Sequence, residues 1–140
     1  MVLGGSGAAW SMGGPDEREM VKLPPMMASH MLGNMRDHLV ALDEILAALA
    51  EGNVGEAGRV AEGRLGMSSL ELHGAHHMAP YYPEGMKAVG TAMHRAASRF
   101  VTAAEDAEVE GSPESQKKVF GALAEITQAC NGCHANYRVR

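Results

Sequence analysis

An all-α fold, arranged as an antiparallel up-and-down four-helix bundle, is what this 140-residue chain predicts. Two observations lead there. Alanine (22 residues) and methionine (11) dominate the apolar complement, while β-branched residues number only ten Val, two Ile and three Thr. Ala, Leu, Met, Glu and Arg lose little freedom on entering a helix, and β-branched chains lose more. The second observation is that apolar residues recur at three- and four-residue steps in four segments, each bounded by proline or glycine. The length suits one domain with a core of its own. Aromatic residues make up 4% of the chain, so that core is expected to hold small side chains with something else filling its middle.

The first segment runs from Leu23 to Gly52. Met31, Met35, Leu39, Leu42, Ile45, Leu46 and Leu49 share one helical face, Pro24-Pro25 suit its start and Gly52-Asn53 its end. A helix of about 25 residues follows from that spacing. A second, weaker helix is expected from Val54 to about Met78, with Ala57, Ala61, Leu65, Leu70 and Leu72 inside and a break near Gly66. Gly58, Gly63, Gly66 and Gly74 each lower its helix propensity by up to about 1 kcal/mol relative to Ala. The prolines of "APYYP" (79–83) make a turn. A third helix begins at Pro83-Glu84 and reaches about Ala107, with Met86, Val89, Met93, Ala96, Ala97, Phe100 and Ala104 as its stripe. Ser112-Pro113 starts the fourth, combining a capping hydroxyl with proline in the first turn. Val119, Leu123, Ile126, Cys130, Cys133 and Tyr137 form its apolar face.

A net charge of −5 and a pI near 5.8 argue against a nucleic-acid partner, which would require a basic face. No run of 18 apolar residues is present, so no membrane span is expected. The glycine-rich start "MVLGGSGAAWSMGG" lacks the basic region and apolar run of a signal peptide. A disordered leader, a vector-derived extension and a processing remnant all fit it. Residues 1–20 are therefore set apart from a bundle domain over 21–140.

Both cysteines fall in the last eleven residues, "CNGCHANYRVR". A structural zinc site would need further ligands, and only histidine could supply them. A thioredoxin-type redox pair belongs where a strand meets a helix start, not deep in a C-terminal helix. A disulfide here would close a very short loop and add little stability. Cys-x-x-Cys-His is the recognised signature of covalent haem attachment. Cysteines at i and i+3 share a helical face, where each can form a thioether with one porphyrin vinyl group. The histidine at i+4 then projects towards iron.

At the end of a four-helix chain of this size, "CNGCHANYRVR" resembles the cytochrome c′ / cytochrome c-556 family over roughly residues 20–140. In that family the motif lies on the last helix and is followed by an aromatic and a basic residue, here Tyr137 and Arg138. The resemblance implies one haem c held by Cys130 and Cys133, His134 as proximal iron ligand, and Arg138 near that histidine or a propionate. It also implies a periplasmic location, transient redox partner proteins, and a homodimer through the first two helices. Ala47, Ala48, Ala50 and Ala57 would allow close approach there.

The sixth iron position separates two functions. Counting back from Gly52 by the family's spacing reaches Met35, and Met31 one turn earlier is the alternative. With a methionine ligand the protein is a single-electron carrier and not an enzyme. With an open position it resembles a five-coordinate cytochrome c′ that binds NO or CO. Methionines at helical spacing are also ordinary core filler. His38 offers a bis-His haem. His73, His76, His77, Met78, Met93 and His94 form a further group, in which His73 and His77, one turn apart, could chelate copper or zinc. That gives a third reading, a His/Met-rich metal-binding bundle with cysteine thiols as ligands.

Overall fold

The computed structural model describes residues 14–140. The first thirteen residues of the glycine-rich leader lie outside them. A short strand β1 (Glu19–Val21) is followed by α1 (Pro25–Ala50), α2 (Val54–Arg64), the single-turn α3 (Ala75–Met78), α4 (Glu84–Glu110), α5 (Pro113–Asn136) and strand β2 (Tyr137–Val139). Short 3₁₀ turns at Met67–Ser69 and Ala79–Tyr81 fill the connections. The chain is mostly helical, and helices pack in pairs, α1 on α2, α2 on α4 and α4 on α5.

Helix starts follow the expected chemistry. Pro24-Pro25 open α1, and Ser112 and Ser115 cap α5 reciprocally, each side chain meeting the other's backbone N–H. Asn53 accepts from the Glu56 N–H at the head of α2. Gly111, with φ +60°, ends α4 in the left-handed conformation that glycine adopts without strain.

One contiguous core joins α1, α2, α4 and α5 through Ile45, Leu65, Phe100, Val119 and Ile126, with alanines between them. Phe100 is its largest fully buried side chain. Three expectations change. The inward face of α1 is Asn34, His38, Ala41, Ile45 and Ala48, while Leu39 and Leu46 are exposed and Met35 and Leu42 are half-buried. Small Ala41 and Ala48 let α1 approach its neighbours, which the larger leucines would prevent. The second helix ends at Arg64, before the foreseen break at Gly66, and Leu72 is exposed. Ala48 and Ala57 are buried within the chain's own core and so cannot serve a dimer surface; Ala47 and Ala50 are exposed.

The strand pair was not foreseen. β1 and β2 run parallel, with Glu19 opposite Tyr137 and Val21 opposite Val139. Glu19 and Met20, placed outside the domain by the sequence reading, therefore take part in the fold. This pairing ties the chain before α1 to the residues directly after the Cys-x-x-Cys-His motif. By contrast, α1 and α5 do not pack closely on one another. The seam between them is open.

Candidate functional site

A cavity of about 530 Å³ lies along that seam. Cys130, Cys133 and His134 from the last turns of α5 line it, and Met31, Met35 and His38 of α1 do so too. Met78, Tyr82, Met86, Met93 and His94 complete much of its wall. The i, i+3, i+4 spacing on a helix delivers both thiols and the imidazole to one side of this space.

Both cysteines are free thiols and half-buried. Cys130 packs against the main core, and Cys133 against a second cluster of Val21, Leu23 and Met86. Burial pushes both thiols above the ordinary cysteine range. His134 is exposed at the cavity edge. Gly132 between the cysteines lies beside Val89 of α4, and Gly85 leaves the room that the Tyr137 hydroxyl occupies.

Among the described residues Arg138 makes no hydrogen bond to His134. Its Nε lies 3.4 Å from the Arg18 carbonyl, which accepts from it, and 3.6 Å from the Asp16 carboxylate. Arg18 donates to the His134 carbonyl at 3.4 Å and pairs with Asp16. The Arg18 guanidinium holds the Asp16 carboxyl well below the usual carboxylate range. Arg18 and Asp16 thus belong to the site's surroundings. In the sequence only the charged run "DERE" (16–19) distinguishes them from the glycine-rich stretch before.

Two methionine sulfurs compete for one hydroxyl proton. The Tyr82 hydroxyl lies 3.3 Å from Met31 Sδ and 3.2 Å from Met78 Sδ. Burial raises the Tyr82 pKa to about 12, with a further push from Cys133. Met35 lines the cavity with no such hydrogen bond among the described residues.

The histidines divide differently from the expected grouping. His73 is buried whereas His76 and His77 are exposed. Gly74, at φ +64°, interrupts the helix between His73 and His77, so the two do not share one helical face. His73 instead meets His38 of α1 and His94 of α4, with ring centroids 4.6 Å and 5.4 Å away; His38 and His94 stand 6.2 Å apart. His94 Nδ1 donates to the Leu65 carbonyl at 2.7 Å, and Ser69 Oγ lies 3.4 Å from His73 Nδ1. The Nε2 atoms of His38 and His73 are buried without a partner. Desolvation, reinforced by His73 and His94, lowers the His38 pKa to about 4. Among the described residues no group of three or more His, Cys, Asp or Glu side chains is placed to hold a metal ion.

Compared with family models, with curated proteins and with solved structures, the chain finds no match.

Proposed function

We propose that this chain is a c-type cytochrome, an antiparallel up-and-down four-helix bundle that carries single electrons through one covalently bound haem c. One observation carries the reading. The chain's two thiols and the adjoining imidazole line a largely apolar cavity of about 530 Å³ that α1, α4 and α5 also border. A flat apolar body suits such a space, and among the described residues no Phe or Trp lines it.

Within this reading Cys130 and Cys133 hold the group as thioethers and His134 is the proximal ligand. Met35 would be the sixth ligand, since its sulfur has no hydrogen-bond partner among the described residues, whereas Met31 Sδ lies 3.3 Å from the Tyr82 hydroxyl. When bound, haem c supplies a one-electron iron couple whose potential a methionine ligand raises relative to a second histidine. Met78, Met86 and Met93 adapt their flexible chains to the enclosed face and exclude water. β1 holds the segment beyond His134 in place through its pairing with β2. The partners are redox proteins met through small, transient contacts, and a second copy of the chain. The place of action is the periplasm, where c-type attachment is completed.

Expression in a haem-maturation-competent host tests this. Colour that survives denaturation, and is lost in Cys130→Ala/Cys133→Ala, is expected. A low-spin spectrum that carbon monoxide leaves unmoved completes the electron-carrier reading. A high-spin spectrum that shifts with carbon monoxide would transfer the function to NO or CO binding. Colourless protein would overturn both.

A further inference from the structure

We propose that His38, His73 and His94 form a three-imidazole site for one transition-metal ion of the zinc or copper type, separate from the Cys-x-x-Cys-His motif. The inference stands on the cluster alone and does not rest on the haem reading.

The spacing of the rings is the first argument. An ion bound by histidine lies about 2.0–2.1 Å from nitrogen, so each ring centroid falls about 3.2 Å from the metal, and tetrahedral angles put the centroids about 5.2 Å apart. The observed separations of 4.6, 5.4 and 6.2 Å bracket that value. As the rings stand, they pack at interplanar angles of 64°, 87° and 38° rather than with three nitrogens on one centre. Closing the sphere requires ring rotation, about a torsion whose minimum is broad. All three side chains border the 530 Å³ cavity.

Hydrogen bonding is the second argument. His94 spends its Nδ1 proton on the Leu65 carbonyl, which leaves the Nε2 lone pair free. His73 has Ser69 Oγ beside Nδ1 and an Nε2 without partner. His38 likewise has an unpartnered Nε2. Metal-bound histidines characteristically engage the other ring nitrogen in this way. A buried polar atom left without a partner is costly, and His38 and His73, 8% and 5% exposed, each hold one. A bound ion would satisfy all three lone pairs at once.

Charge is the third. Three neutral imidazoles leave the ion's charge uncompensated, and Asp37, next to His38 on α1, acts electrostatically on His38 and His73. Asp37 and Glu44 share one guanidinium, that of Arg64, so this group carries one net negative charge beside the cluster.

Zinc titration of the chelator-treated full-length protein, followed with a competing indicator dye, tests the site. One equivalent per chain is expected, with affinity falling about 100-fold or more in His73→Ala and His94→Ala and about 10-fold in Ser69→Ala. His76→Ala/His77→Ala should bind like the parent. Zinc-edge X-ray absorption of the unaltered protein should give three imidazole nitrogens at about 2.0 Å, which keeps the test decisive even if a variant does not fold. Repeating the titration with copper distinguishes which ion the sphere prefers. The proposal is overturned by no retained zinc, by a sphere with fewer than three imidazoles or with sulfur, or by binding lost with Cys130 and Cys133 instead.

Discussion

The Asn34 side-chain amide donates to the backbone carbonyl of His73 at 2.9 Å, both groups buried, and so joins α1 to the turn after α2. Among the described residues no backbone N–H bonds that carbonyl. Asn34→Ala leaves that buried acceptor without its partner. A loss of about 1–3 kcal/mol is expected. Urea unfolding checks it, with the midpoint lowered and the slope unchanged. An unchanged midpoint would mean that water replaces the amide freely.

Gly85 opens α4 beside Tyr137, the first residue of β2. A methyl group at position 85 would overlap the tyrosine hydroxyl. Gly85→Ala is therefore expected to destabilise by about 1–3 kcal/mol, although alanine favours the helix itself. Removing the hydroxyl in Gly85→Ala/Tyr137→Phe should recover most of the loss. The double-mutant cycle reads this as a coupling between contacting residues. Additive effects would show that the strand simply moves aside.

Acid should weaken the fold through His38. Its pKa is about 4 in the folded protein against 6.5 for the free side chain, so the unfolded chain binds more protons between those values. Stability that is complete above pH 6.5 is then lost as pH falls towards 4, by roughly 3 kcal/mol at 1.36 kcal/mol per unit. His73 and His94 face the same ring and oppose its charging, whereas Asp37 favours it. Unfolding measured at pH 7, 5.5 and 4 with chelator present checks the slope. His38→Gln should flatten it; a slope unchanged in that variant would place the proton elsewhere.

Much of the fold was legible because helical period and caps are local properties. Pro25, Ser112 and Gly111 mark boundaries by chemistry confined to a few residues, and the α4 stripe from Met86 to Ala104 lies as its spacing indicates. The face of α1 was misjudged because side-chain size was weighed above fit. Ala41 and Ala48 are inside, and Leu39 and Leu46 outside, only because neighbouring helices come close. The histidine cluster was beyond reach for a different reason. His38, His73 and His94 are separated by 35 and 21 residues and lie on three elements, so only tertiary packing brings them together. Parallel pairing of three-residue strands left no periodic trace either.

Met31 and Met35 offer the last prediction, since they lie one turn apart and both border the cavity. Their surroundings differ. Met31 Sδ receives the Tyr82 hydroxyl and packs with Val21, Leu23 and Met86, so its role is expected to be structural. Met35 is half-buried and keeps its sulfur free of such a bond. In haem-loaded protein, Met35→Ala should give a high-spin spectrum that responds to carbon monoxide, together with a lower reduction potential. Met31→Ala should remain low-spin and lose stability by about 2 kcal/mol, at the low end for truncating a methionine in a core. The reverse pattern, high-spin in Met31→Ala and low-spin in Met35→Ala, would make Met31 the ligand and require Tyr82 to release its sulfur.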